Sequence, residues 1–173
     1  MSKSGKNAAF LQKLRLWMII LCVIGVALSI YALYVEISKE SDQNYRAMCD
    51  ISESISCSRV FTSRYGRGFG IIGSILGEDH PLNQPNSIPG IIFYSIVLIL
   101  GENTSLTAAK IQKSLLFISN FMSLYLAYLL YYVLHDFCVV CVSTYVVNFL
   151  LTVCAFWRVS TLQAKYSDSK KNS

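Results

Sequence analysis

Charge is scarce in this 173-residue sequence. Only 14% of its residues are Asp, Glu, Lys or Arg, against about a quarter in an ordinary soluble domain. That leaves too little polar surface to coat a water-soluble fold of this size. Disorder is excluded as well, because it requires low hydrophobicity and high charge, whereas 54% of this chain is apolar. No run of Lys and Arg is dense enough for a nucleic-acid footprint, since the net charge of +5 comes from scattered residues and from the chain ends. Internal repeats are missing, and the only low-complexity stretch is the polar tail. What remains is the composition of a polytopic membrane protein, long enough for one domain.

Three uncharged runs, 16–35, 114–134 and 137–157, each reach the ~20 residues needed to cross ~30 Å of hydrocarbon. A fourth, 88–100, is shorter and interrupted at Pro89 and Gly90, the core of a candidate span over about 88–105. The basic residues decide whether it counts. Lys3, Lys6, Lys13 and Arg15 precede the first run, Lys110 and Lys113 precede the third, and Arg158, Lys165, Lys170 and Lys171 follow the last. Four spans place all of these on the cytosolic side, as the positive-inside rule requires, and three spans do not. The expected fold is therefore an all-α membrane protein: a bundle of four transmembrane helices with a long non-cytosolic loop, 36–87, and a cytosolic tail, 158–173. The first run is too long for a cleaved signal peptide, and Tyr31-Ala32-Leu33-Tyr34 is a poor cleavage site.

Of the six cysteines, Cys22 and Cys154 lie inside apolar runs and read as core filler. The others form two pairs. Cys49 and Cys57 lie in the long loop, and Cys138-Val-Val-Cys141 opens the last span. The spacing of three puts both of the latter thiols on one helical face. Asp136 is the expected N-cap, with Cys138 in the first turn, where a helix start stabilises a thiolate. Four spans bring both pairs to the same oxidising side. Three readings compete at this point. Structural disulfides are one, although a bridge across three residues of one helix closes almost no loop. A four-cysteine zinc site is another, but the seven residues between Cys49 and Cys57 are the wrong spacing for it. The third, which leads, is a thiol relay from loop pair to helix pair and on to something in the membrane.

Below the helix pair, Tyr145, Asn148 and Thr152 continue the face of Cys141, as interhelical hydrogen-bonding groups or as a ligand site. Asn86 precedes the short apolar run and serves either as a helix cap or as a donor to a ligand carbonyl. Phe93 and Tyr94 follow it. A pocket built from these residues is aromatic, apolar and uncharged, with one amide and one phenol as polar points. A lipid-soluble molecule with two carbonyl-like oxygens and a reducible centre, such as a quinone, matches it. The glycine-rich stretch Arg64-Tyr65-Gly66-Arg67-Gly68-Phe69-Gly70 follows no strand and is a weak match to a phosphate loop. With Ile71, Ile72, Ile75 and Leu76 it reads as an interfacial lid. His80 and His135 read as isolated surface residues.

Several motifs occur in order: Cys49-Asp50, Ser56-Cys57-Ser58-Arg59-Val60-Phe61, Ser63 through Gly70, Leu82-Asn83-Gln84-Pro85-Asn86-Ser87-Ile88, and Phe137-Cys138-Val139-Val140-Cys141. Together they resemble the vitamin K epoxide reductase family, from about Leu28 to Phe156. Gly73-Ser74-Ile75 and Asn83-Gln84-Pro85-Asn86 lean toward its like-1 branch, whereas Ser58-Arg59-Val60-Phe61 leans toward the animal reductase. Pro89 and Tyr65 depart from the pattern, standing where an aromatic residue and a Trp are expected. The resemblance implies an endoplasmic-reticulum membrane enzyme, both termini cytosolic, that reduces vitamin K epoxide to quinone and quinone to hydroquinone. It implies no permanently bound cofactor and no metal. A dithiol is the reductant, and thioredoxin-like, protein disulfide isomerase-type luminal proteins are the electron donors. In family terms Cys141 attacks the substrate, Cys138 resolves the adduct, and Cys57 and Cys49 relay electrons. Asn86 and Tyr145 bond the two substrate oxygens. Phe61, Phe69, Phe93, Tyr94 and Leu126 are the expected pocket walls, and coumarin anticoagulants are expected to occupy the same pocket. Two alternatives use the same residues: a quinone-driven generator of disulfides for secreted proteins, and a non-catalytic scaffold held by structural bridges. The ending Lys170-Lys171-Asn172-Ser173 resembles a dilysine retrieval signal.

The four-span reading carries a direct test. Asn103-Thr104-Ser105 is a glycosylation sequon that four spans leave in the cytosol. When the chain is made in mammalian cells, endoglycosidase treatment is expected to leave its gel mobility unchanged. A shift abolished by Asn103→Gln would overturn the topology.

Overall fold

The computed structural model describes residues 3–52 and 55–171. Four long helices form its body: α1 (Lys3–Ser41), α4 (Ser87–Glu102), α5 (Leu106–Tyr128) and α6 (Val139–Lys171). Two short helices, α2 (Cys57–Thr62) and α3 (Ile72–Leu76), lie in the long loop between α1 and α4. Among the described residues there is no sheet, only isolated bridges such as Ile55 to Phe137 and Arg67 to Pro85. In the bundle α1 packs on α4 and α6, and α5 packs on α6 and α4. The end of the tail motif, Asn172-Ser173, lies outside the described residues.

Helices α1, α5 with its continuation, and α6 are long and apolar enough to cross a membrane; α4 is a shorter apolar helix. Its 16 residues extend about 24 Å at 1.5 Å per residue. The outward faces carry exposed Val23, Ile30, Ile99, Ile118, Phe121 and Phe149. Apolar surface of that extent suits lipid rather than water. The chain is thus a multi-pass membrane protein of α-helices.

The helices overrun the apolar segments that predict them. Helix α1 continues to Ser41 because the loop supplies a partner for its acidic end. Glu36, 2% exposed, accepts from Arg67 Nε at 3.1 Å, and Arg67 also pairs with Glu40. The loop therefore begins after Ser41 rather than at residue 36. Helix α4 runs through Pro89 and Gly90 without a break. Pro89 lies in the first turn, where its missing N–H costs no hydrogen bond, and the Gly90 N–H donates to Asn86 O at 3.2 Å. At its other end α4 stops at Glu102, short of 105, and its last carbonyls are closed from outside. Gln112, fully buried, donates to Val97 O at 2.7 Å, and Arg158 donates to Leu100 O at 3.2 Å and to Asn103 O. The Arg158 bonds satisfy acceptors that a helix end otherwise leaves bare, and Gln112 Oε1 in turn accepts from Arg158 at 2.6 Å. Helix α5 starts at Leu106, capped by Ser105, and so includes Lys110 and Lys113. It ends in a wide turn, Leu129–Val133, closed by Leu134 N–H to Leu129 O at 2.9 Å.

Small residues set the spacing of α1 and α4. Gly25 faces the Tyr94 ring, and a Cβ there would lie 2.5 Å from ring carbons; Gly90 faces Ser29 in the same way, at 2.8 Å. Such positions let helix backbones approach in a bundle that lacks a hydrophobic driving force between helices. Polar side chains join the opposite face. Tyr94 Oη donates to Asn148 Oδ1 (2.9 Å), Asn148 Nδ2 donates to Ser123 Oγ (3.0 Å), and Asn120 Nδ2 donates to Thr152 Oγ1 (2.6 Å). Asn148 and Thr152 thus act as interhelical glue. Cys22 is buried in this core and Cys154 packs against it, as filler.

Gly25→Ala is expected to lower stability by about 1–3 kcal/mol, the usual range for overpacking, read as a lower thermal midpoint in detergent. Gly5→Ala, which meets nothing within 4 Å, should leave the midpoint unchanged or slightly raised.

Candidate active site

The two cysteine pairs meet at the non-terminal end of the bundle. Cys49 and Cys57 are joined by a disulfide, and Cys138 and Cys141 are free. Cys138 Sγ lies 3.9 Å from Cys57 Sγ across 81 residues of sequence, and both cysteines are fully buried. They share a cluster with Ala32, Val35, Val60 and Leu130, which excludes water around the sulfurs.

Three local devices produce this approach. The first is Asp50. Its carboxylate accepts from the N–H groups of Ala47 (2.8 Å) and Ser58 (3.0 Å) and from the hydroxyls of Ser56 (2.9 Å) and Ser58 (2.6 Å). The chain on both sides of the disulfide is thereby tied to one side chain. Burial alone would raise this carboxyl, but the hydrogen bonds led by Ser58 outweigh it and hold its pKa down at about 2. The second is Ser56, which caps α2 by accepting from Arg59 N–H. The third is an ion pair: Arg59 Nη2 bonds Asp136 Oδ1 at 2.6 Å and links α2 to the residues just before Cys138. Asp136 is therefore not the N-cap of α6. The helix begins at Val139, and Cys138 takes the capping position itself. The Cys138 carbonyl accepts from Val142 N–H (3.0 Å), and its sulfur accepts from Cys141 N–H (3.2 Å). The first turn of α6 thus holds Cys141 rather than Cys138. Asp136 is drawn away because the arginine on α2 offers it a charged partner.

Cys141 opens onto a cavity of about 410 Å³, within the range of small-molecule sites. Asn86, Tyr145, Phe61, Phe69, Phe93, Tyr94 and Leu126 all line it. Cys138 does not, and neither do Cys49 and Cys57. Of the four cysteines only Cys141 borders the cavity, and Cys138 is the one that approaches the loop disulfide. The Tyr145 hydroxyl has no hydrogen-bond partner among the described residues. Asn86 is engaged on both sides. Its Oδ1 accepts from Phe69 N–H and its Nδ2 donates to Tyr65 O, each at 2.7 Å. It makes no side-chain cap on α4, which removes the capping reading. One amide hydrogen of Nδ2 remains free.

Asn86 explains the glycine-rich stretch. Phe69 has φ +58°, uncommon for a bulky residue, between Gly68 at +51° and Gly70 at +70°. The Asn86 bond to its N–H holds this turn, and the flanking glycines accept left-handed backbone without strain. The turn carries Tyr65 and Phe69 to the cavity wall, while Ile75 and Leu76 of α3 are exposed. Pro89 and Tyr65, the two departures from pattern, both line the cavity. Sequence reasoning reads Arg67 only as part of an interfacial lid and assigns no role to Asp50, Arg59, Glu36 or Tyr31, whose hydroxyl lies 3.8 Å from Cys49 Sγ. The one available signal is Glu36, a carboxylate at the edge of an apolar run.

Residues 16–156 match the model of the vitamin K epoxide reductase family. The chain is similar to vitamin K epoxide reductase complex subunit 1 of Mus musculus, 46% identical over 145 residues, which covers 84% of this chain and 90% of the relative. The protein of the same name from Rattus norvegicus is 46% identical over 147 residues, with the same coverage.

Because the Asp50 pKa is lowered on folding, its contribution is present above pH ~4 and lost as the pH falls toward 2. The thermal midpoint of the parent is expected to fall across that window. Asp50→Asn should start lower at pH 7 and fall less. Parallel profiles would show that the carboxylate does not hold the loop.

Proposed function

The chain belongs to the vitamin K epoxide reductase family, and we propose that it reduces vitamin K 2,3-epoxide to the quinone, and the quinone to hydroquinone, with electrons from thiols. One observation carries this reading. Cys141 faces an apolar cavity while its neighbour Cys138 lies 3.9 Å from a sulfur of the loop disulfide. A dry passage from an external dithiol to a lipid-soluble oxidant needs this juxtaposition.

The Cys141 thiolate attacks the epoxide, the ring opens, and the oxygen takes a proton. The Cys138 thiolate then displaces the substrate carbon from Cys141, forming the Cys138–Cys141 disulfide and releasing quinone and water. Reduction of quinone to hydroquinone consumes a second pair of thiols in the same way. The Cys57 thiolate attacks Cys138 and frees Cys141, and Cys49 closes on Cys57 to free Cys138. This leaves the loop pair oxidised and the helix pair reduced, the arrangement found in the structure. A luminal dithiol of the thioredoxin or protein disulfide isomerase type then reopens Cys49–Cys57.

Asn86, through its remaining amide hydrogen, and the unpaired Tyr145 hydroxyl bind the two substrate oxygens. Phe61, Phe69, Phe93, Tyr94 and Leu126 hold the rings, and coumarins compete for the same volume. In this proposal α4 spans the membrane as the fourth helix, the 64–76 segment acts as a luminal lid, and the protein resides in the endoplasmic reticulum with both termini in the cytosol. No resident cofactor takes part.

The decisive experiment is turnover of vitamin K epoxide by the purified full chain in detergent, driven by a membrane-permeant dithiol. The parent is expected to turn over, Cys141→Ser and Cys138→Ala to fall to background, and Cys49→Ala to keep most of its rate, since a small dithiol bypasses the loop pair. Equal loss in all three variants would undo the division of roles. A folded parent that is inert with the epoxide but oxidises dithiols with ubiquinone-like acceptors would favour the disulfide-generating alternative.

A further inference from the structure

A second cavity, of about 380 Å³, opens at the end of the bundle where both termini emerge. It is bounded by the start of α1, the end of α4 and the last turns of α6. Its charged lining consists of Arg15, Arg158 and Lys165 against one carboxylate, Glu102. Both Glu102 oxygens are already taken by Arg15. Arg158 is 6% exposed, and its guanidinium bonds only neutral oxygens: Leu100 O, Asn103 O and Gln112 Oε1. Closing α4 explains those bonds. It does not explain why a buried cation borders an open cavity beside a second cation, Lys165, that has no ion pair among the described residues. Tyr166, a further donor, and apolar Leu162 also line the cavity.

The surroundings identify the depth. Trp17 and Trp157, the only two tryptophans of the chain, are both at this end, 60% and 55% exposed. Trp157 pairs with exposed Phe10 at a ring-centroid distance of 6.4 Å. Exposed tryptophans collect at the headgroup level of a bilayer. Basic pockets between helices at that level suit anionic lipid headgroups.

We propose that this cavity binds the phosphate headgroup of an anionic glycerophospholipid, with Lys165 and Arg158 facing the phosphate and the acyl chains lying outside against Trp157 and Phe10. The site stands independently of the redox reading; only its assignment to the cytosolic leaflet rests on four spans.

Native mass spectrometry of the full chain, extracted in detergent containing equimolar phosphatidylserine and phosphatidylcholine, tests this. One phosphatidylserine is expected to remain bound per chain, in preference to phosphatidylcholine. Lys165→Gln should reduce its retention about fivefold, the weight of one basic residue near an anionic membrane, with the thermal midpoint in neutral detergent unchanged. Tyr166→Phe should reduce it less. Lys110→Gln, an exposed cation of α5 outside the cavity, should have no effect. Equal retention of both lipids, or equal losses in Lys165→Gln and Lys110→Gln, would overturn the proposal. So would stabilisation by inorganic phosphate equal to that by phosphatidylserine, which would assign the cavity to a soluble anion. Arg158 is left intact in these tests because it also closes α4.

Discussion

The approach of Cys57 to Cys138 is the constraint that organises this molecule. A loop cysteine and a helix-start cysteine, 81 residues apart, lie with their sulfurs at 3.9 Å in a buried cluster. Thiol–disulfide exchange works only at contact, so each must be held by something other than the other sulfur. On the loop side the holder is Asp50 with its four donors. On the helix side it is α6 itself, started by Cys138. The Arg59–Asp136 ion pair joins the two frames. Arg59 is about half exposed and screened by solvent, so its value lies in alignment more than in energy.

The bundle below serves the same end by keeping a cavity open. A four-helix bundle of leucines would fill its centre. Here Gly25 and Gly90 bring α1 close to α4, while the wide turn at Leu129–Val133 alters the path of α5 where Leu129 and Leu130 border the cavity. Such wide turns recur at functional sites because they displace a helix without ending it. The Tyr94–Asn148–Ser123 and Asn120–Thr152 bonds hold the facing helices on the other side.

Much of this was legible in the sequence. The uncharged runs located three of the four bundle helices and the charge pattern the fourth, and both cysteine pairs were found from spacing and side. Every residue expected to wall a ligand pocket lines one cavity. The helix ends were not legible, because they are decided by distant partners: Arg67 extends α1, and Arg158 and Gln112 close α4. Asp136 read as a cap from its position, and only the fold reveals that Arg59 claims it. Asn86 read as a cap or a ligand group, whereas its carboxamide holds the turn at Phe69 and Tyr65. Nothing in local pattern distinguishes a residue that contacts a ligand from one that shapes the wall around it.

The bonds to Asp50 also bear on how the loop would behave in the proposed thiol exchange. They bracket both loop cysteines, reaching Ala47 before the first and Ser56 and Ser58 around the second, and none involves sulfur. The disulfide joins residues only eight apart in sequence, and the backbone on either side of it is fixed by bonds that do not pass through sulfur. Reduced and oxidised forms of the loop can therefore share one backbone shape. In the proposed relay the sulfurs would then change partners while the scaffold around them stays where it is, at a low reorganisation energy.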